Sequence, residues 1–231
     1  GRGGREGREY PRSAGWAART PAGSLGVMVA VPVVLTRPRR PSPRASAPDE
    51  TGRPGDPLVD RFGRVHRDLR ISLTDRCSLR CTYCMPEQGN EWLARTSILT
   101  LDEIERVARV AAASGVTTFR LTGGEPLLRP DIVEVVRRLA AIRTPGGARI
   151  DLAMTTNGIR LAELLGPLQA AGLRRLNISI DTLDRDRFRA LTRRDRLHDV
   201  LDGIAAAAAS DLRPLKPNAV AMRGVNDDHL V

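Results

Sequence analysis

From about Asp60 the sequence alternates short strand-like runs with helix-like runs, and no other feature constrains the fold as tightly. The predicted strands are Leu69–Leu73, Thr117–Thr122, Ile150–Thr155, Arg175–Ile180 and Leu215–Met222. Between them lie predicted helices over Leu101–Ala113, Ile132–Ile142 and Ile159–Ala171, and a split helical element from Asp184 to about Ser210. Leu101, Ile104, Val107, Ala108 and Ala111 keep the 3.6-residue period, with Thr100 placed to cap their helix and Gly115 and Gly172 placed to end helices. A strand–helix–strand repeat implies crossover connections and a parallel sheet, so the class is α/β. Either a barrel or an open doubly wound sheet satisfies that pattern.

The side chains within the strands favour the barrel. Parallel strands covered by helices on both faces read as near-continuous apolar runs, and these do not. Leu69, Ile71 and Leu73 alternate with Arg70 and Ser72, and Phe119 and Leu121 with Thr118, Arg120 and Thr122. Ile150, Leu152 and Met154 leave Asp151 and Thr155 opposite, Leu176, Ile178 and Ile180 oppose Asn177, Ser179 and Asp181, and Lys216 shares a face with Asn218. One face meets helices, while the other carries charges and hydroxyls that need partners or a polar ligand. An antiparallel sheet with its polar face in water is the competing explanation. A wide, incomplete barrel around a charged substrate accounts for the intervening helices as well.

At 231 residues the chain is long enough for one well-buried domain and a tail. Residues 58–231 are expected to form that domain. Residues 1–57, rich in Arg, Pro, Gly, Ser and Ala with no sustained period, are expected to be a disordered extension. The apolar run from Gly26 to Leu35 is too short to span a bilayer and is interrupted by Pro32, and the Arg/Pro-rich segment after it lacks a convincing signal-cleavage pattern. No membrane partner is expected. The chain opens on Gly1 and its first methionine is Met28, so residues before Met28 need not belong to the working protein. The net charge of +10 suits an anionic ligand or nucleic acid alike, but aromatic residues make up only 3%, which leaves few base-stacking platforms. Nucleic acid is therefore not an expected partner.

The only three cysteines, Cys77, Cys81 and Cys84, come after the first predicted strand as C-x3-C-x2-C. Their crowding is a poor layout for disulfides and a good one for a metal centre, which favours a reducing cytoplasm. Three thiolates on a four-iron cluster leave the fourth iron open to a small molecule. Arg76 and Arg80 are expected to favour the deprotonated thiols that ligation requires. Two alternatives stand beside this one. The same spacing places three small side chains on one helix face, and zinc would serve if a fourth ligand were near, for which only His66 is at hand in sequence.

The segment CSLRCTYC and the run Thr122-Gly-Gly-Glu-Pro126 together resemble the radical S-adenosylmethionine (SAM) superfamily. Within it, Asp60-Arg-Phe-Gly-Arg64, Asp68 to Cys77, Thr155-Thr-Asn-Gly158, Gly172 to Asp181 and Gly224-Val-Asn-Asp-Asp228 resemble the GTP 3′,8-cyclase family of molybdenum-cofactor biosynthesis, in order, from about Val59 onward. The resemblance implies an incomplete parallel (β/α)6 barrel, a [4Fe-4S] cluster on Cys77, Cys81 and Cys84, and SAM as cofactor. It implies SAM contacts at Tyr83, Gly124 and Ser179 and GTP contacts at Arg70, Arg120, Thr155 and Lys216. It further implies GTP as substrate and an electron donor as partner, and leaves a homodimer open. The implied chemistry is reductive cleavage of SAM to a 5′-deoxyadenosyl radical, which removes the 3′ hydrogen of GTP so that the carbon radical adds to C8 of guanine. The family carries a second cysteine triplet for another cluster, whereas no cysteine comes after Cys84 here, so the barrel is expected to be truncated before its last unit. Another radical SAM enzyme, such as a peptide or cofactor maturase, and a non-enzymatic metal-bearing module with a basic tail are the rival functions.

Overall fold

The computed structural model describes residues 56–88 and 90–229. Five strands, β1 (Asp68–Ser72), β2 (Thr118–Thr122), β3 (Asp151–Thr156), β4 (Arg175–Ser179) and β5 (Leu215–Asn218), form one sheet. Its order is β1-β2-β3-β4-β5 and every pairing is parallel. Between the strands run α1 (Leu101–Ala113), α2 (Ile132–Ala141), α3 (Leu161–Ala170), and the pair α4 (Arg185–Thr192) and α5 (Leu197–Ala209).

This order resolves what the sequence left open. A doubly wound sheet reverses its strand order at a switch point and carries helices on both faces. Here each crossover steps one strand in the same direction, which gathers the helices on one side as in a barrel wall. Burial agrees: Phe119, Leu121, Leu152, Met154, Leu176 and Ile178 are at most 1% exposed and pack with Ile104, Ala108, Val135, Leu139 and Leu168 of the helices. Each such side chain contributes roughly 1.5–3 kcal/mol of burial. On the opposite face Arg70, Ser179 and Lys216 are exposed and Arg120 and Thr155 half-buried. The polar face is therefore the inner wall of an incomplete barrel.

Local signals place the elements. Thr100 caps α1 as expected, and the reciprocal bond from its own N–H to Glu103 (2.8 Å) completes a capping box. Gly115, at φ +88°, lets the chain reverse after α1, where a side chain would be strained. The break in the split helix falls at Arg193, which adopts a left-handed φ of 54° without being glycine. Thr192 supports that turn by donating to Phe188 O at 2.7 Å and accepting from Arg194 N at 3.3 Å.

One strand is shorter than predicted. β5 stops at Asn218 rather than running to Met222, because residues 220–226 fold around the buried Asn226 instead of continuing the ladder. Nearly all of the proposed 1–57 extension lies outside the described residues. Among those described, no helix is long and apolar enough to cross a membrane.

Candidate cluster and nucleotide site

The cysteines lie just past the carboxyl end of β1, in a loop of turns rather than a helix, in which Cys84 and Met85 N–H groups both return to Cys81 O. That geometry removes the single-helix-face explanation of their spacing. Cys77 and Cys81 are half-buried against the core and Cys84 is exposed. His66 sits instead on a hairpin facing Asp60, so it offers no fourth zinc ligand to this loop. Among the described residues no three His, Cys, Asp or Glu side chains are drawn together tightly enough to hold a bare metal ion. Cys77, Cys81 and Cys84 lie near enough on one open loop for their thiols to act on one another electrostatically, a donor set that suits a polynuclear cluster.

Burial pushes the Cys77 thiol above its ordinary range and the Cys81 thiol up to about 11. The expected help from Arg80 is not delivered to sulfur. Its guanidinium donates to Cys77 O (2.6 Å) and Leu79 O (2.9 Å) and lies over the Trp92 ring, so it braces the loop backbone. A metal bound at these thiols would itself have to displace their protons.

Three parts of the fold hold the loop. The α4–α5 junction forms the first: Leu191 O and Thr192 O accept from Thr82 N and Arg80 N at 2.9 Å, while Arg193 donates to Arg80 O and Met85 O. The segment after β2 supplies the second: Gly124 N donates to Thr74 O (2.6 Å) and Glu125 N to Arg76 O (2.7 Å). A methyl group on Gly124 would sit 2.3 Å from Arg76 O, so glycine is required there by the cysteine loop itself. Since the Gly124 N–H is already used, any contact it makes with SAM runs through its remaining backbone atoms.

The third is a buried carboxylate. Glu125, 2% exposed, accepts from Leu127 N (3.0 Å), Thr156 Oγ1 (2.7 Å) and Asn157 N (2.7 Å), joining the ends of β2 and β3. Burial nonetheless pushes its carboxyl above the usual carboxylate range. Asn157 passes the constraint on, donating to Ser78 Oγ at 3.0 Å beside Cys77. Glu125 and Asn157 belong to motifs visible in the sequence, but nothing local signals their tie across the strand ends.

Tyr83 donates to Asp181 Oδ2 at 2.6 Å. Burial and that carboxylate push the phenol well above its ordinary range. The strand alternation puts Asp181 on the open polar face beside Ser179; it is instead 7% exposed, because Tyr83, Val220 and Asn226 close over it. Ser179 remains exposed at the end of β4, in register with Asn218.

The residues nominated for GTP share the polar face. Arg70 is directly opposite Arg120, and Thr155 is opposite Asn177, which is opposite Lys216. With its amide oriented to satisfy both ends, Asn177 accepts from Arg120 at 2.7 Å. Arg175, on the same face nearer the strand starts, is neutralised by Asp151. Arg70 and Lys216 reach no partner among the described residues. A separate cleft of about 640 Å³, lined by Thr74, Arg76, Arg95, Leu99 and Arg129 among others, touches none of the nominated contacts.

The match to known proteins agrees with this geometry. The Radical SAM superfamily family model fits residues 71–231. The chain belongs to the radical SAM superfamily. It is 55% identical over 172 residues to a GTP 3′,8-cyclase of Streptomyces coelicolor, covering 74% of this chain and 49% of that protein. It is 53% identical over 170 residues to a GTP 3′,8-cyclase of Geobacter sulfurreducens, covering 74% and 51%. This radical SAM chain thus spans about half the length of the curated relatives it matches. Among solved structures, HydG, a maturase of the [FeFe]-hydrogenase, superposes with a TM-score of 0.55 at 16% identity over 66% of this chain and 35% of its own. Methylornithine synthase (PylB) does so with a TM-score of 0.52 at 17% identity over 74% and 46%. At those identities the structures support the fold alone, an α/β radical SAM barrel wall.

Proposed function

We propose that the chain carries the cluster-, SAM- and GTP-binding strands of a GTP 3′,8-cyclase, acting in molybdenum-cofactor biosynthesis in a reducing cytoplasm. The observation that carries this reading is a polar face shared by Arg70 opposite Arg120 on β1 and β2 and, two residues further along the register, Thr155, Asn177 and Lys216 on β3 to β5, on the sheet whose first strand leads into the cysteine loop. Similarity to named GTP cyclases over three quarters of the chain supports it. Cys77, Cys81 and Cys84 are assigned to a [4Fe-4S] cluster, Tyr83, Gly124 and Ser179 to SAM. When bound, the reduced cluster supplies an electron that splits SAM into methionine and a 5′-deoxyadenosyl radical able to take the 3′ hydrogen of GTP.

The protein's part is orientation. Arg70 on β1 and Lys216 on β5 stand at opposite edges of the five-strand order. On a flat sheet four spacings of about 4.8 Å would part them by about 19 Å, so one nucleotide meets both only when laid along the concave face of a curled wall. Arg120 between them, oriented by Asn177, adds a fixed guanidinium suited to phosphate oxygens. Arg175 is excluded from this role because Asp151 already occupies it. Cys84 is exposed, so a cluster held on it would lie within reach of an electron donor. No cysteine comes after Cys84, so a second cluster has no thiol ligands within this sequence.

The test is anaerobic reconstitution with iron and sulfide, then addition of SAM, dithionite and GTP deuterated at the 3′ carbon. GTP should stimulate 5′-deoxyadenosine formation, and that product should carry the deuterium. Deoxyadenosine formed at the same rate without GTP, and unlabelled with it, would favour another radical SAM activity.

A further inference from the structure

The segment ending in Gly224-Val-Asn-Asp-Asp228 has no role in the assignments above, yet it contains the only described asparagine with no exposure, Asn226 at 0%. Both amide hydrogens and the amide oxygen are engaged: Nδ2 donates to Asp181 O (2.8 Å) and Val220 O (2.9 Å), and Oδ1 accepts from Met222 N (2.7 Å). The stretch from Val220 to Asn226 is thereby folded onto the residue two positions past β4. Asp181 in turn is held at both carboxylate oxygens, by Val220 N at 2.9 Å and by the Tyr83 hydroxyl at 2.6 Å.

Tyr83 itself is 47% exposed, standing between Cys81 and Cys84. A half-exposed ring on a loop of turns has rotamers to choose from, and a charge-assisted bond at its tip selects one. We propose that Asp181 is a positioning residue that fixes the Tyr83 ring for SAM, and that Asn226 fixes Asp181, so the chain leaving β5 sets the SAM side of the site. The proposal rests on the reading that Tyr83 meets SAM.

Variants of the full 231-residue chain separate this from mere structural support. In the cluster-free protein, amide hydrogen exchange should be slow at Val220 and Met222; Asp181→Ala should release Val220, and Asn226→Ala both. In the reconstituted protein, equilibrium dialysis of SAM should show Asp181→Ala and Tyr83→Phe each weakening binding by about tenfold, the worth of one charge-assisted hydrogen bond. Asp181→Asn, which still bridges Val220 N and the phenol, should lose no more than about threefold. The decisive comparison is Asp181→Ala combined with Tyr83→Phe: if Asp181 acts through the phenol, the pair is no worse than either alone. Multiplying losses, or loss of GTP binding in parallel with SAM, would show that Asp181 only supports the barrel and would overturn the latch. If Tyr83→Phe and Tyr83→Ala both leave SAM affinity intact, the SAM role of Tyr83 fails and the latch with it. Weakening by Tyr83 variants but not by Asp181→Ala sinks the latch alone.

Discussion

Replacing Gly124 with alanine probes the closest backbone approach in the site. The added methyl would lie 2.3 Å from Arg76 O, 2.5 Å from Asp75 O and 2.6 Å from the Arg76 carbonyl carbon, all rigid main-chain atoms. Ordinary carbon–oxygen contact begins near ~3.3 Å, so the cysteine loop and the segment after β2 must separate by about 1 Å. That displacement breaks the Gly124–Thr74 bond, now 2.6 Å, and the Glu125–Arg76 bond, now 2.7 Å. Two hydrogen bonds at about 1 kcal/mol each, with an overpacking cost of the same order, give a loss of about 2–4 kcal/mol. For a domain of this size that is a Tm lower by about 4–16 °C. The assay is thermal melting of the cluster-free chain together with iron counting after reconstitution. Gly146→Ala serves as control, because the nearest atom to its Cβ is Thr144 Oγ1 at 4.0 Å and it lies in an exposed turn, so its melting temperature should stay close to the parent's. A Gly124→Ala protein that melts within a degree of the parent and takes up full iron would refute the steric argument.

Other perturbations give distinct readouts. Glu125→Gln cannot accept from Asn157 N with its amide nitrogen, so it should cost about 1–3 kcal/mol in denaturant titration at neutral pH. The raised carboxyl of Glu125 also has a signed pH effect: the folded state binds the proton more tightly than the unfolded one, so its contribution is fullest below the ordinary carboxyl value of 4.5 and declines as pH rises through the folded pKa. Glu125→Gln should remove that decline, and parallel stability–pH curves for the two proteins would contradict the assignment. Arg70→Ala and Lys216→Ala should each weaken GTP binding by roughly ten- to a hundredfold while sparing SAM, as measured by equilibrium dialysis of both ligands; equal loss of both would indicate a damaged barrel. Alanine at Cys77, Cys81 or Cys84 singly should strip cluster iron and abolish SAM cleavage, since the sequence holds no spare thiol.

Much of this architecture is legible in the strands themselves. The alternation of Phe119 and Leu121 with Arg120 identifies the apolar and polar faces, because period two is a property of each strand taken alone. The Thr100 cap and the Gly115 reversal are equally local. Strand order is not legible, since barrel and open sheets share the same local repeat, and the sequential pairing of five strands decides it. The early end of β5 and the burial of Asp181 escape the sequence for one reason: both depend on Asn226, which lies 45 residues from Asp181 in the chain. The Tyr83–Asp181 bond spans 98 residues and leaves no trace in local periodicity. Arg193 illustrates a different failure, for a left-handed turn at arginine lacks the glycine that would announce it. Arg80 is adjacent to a cysteine in sequence but does not serve its sulfur, because a long side chain goes where carbonyls await it.

On the proposed reading, the loop from Cys77 to Cys84 builds a cluster with one iron free for SAM. Electron paramagnetic resonance of the anaerobically reconstituted, dithionite-reduced chain tests it most directly, read alongside iron and sulfide counts. The expected result is about four iron and four sulfide per chain, a reduced-cluster signal whose g values shift when SAM is added, and no such signal once Cys77, Cys81 and Cys84 are all replaced by alanine. A cluster signal indifferent to SAM, or one that survives the triple replacement, would contradict it.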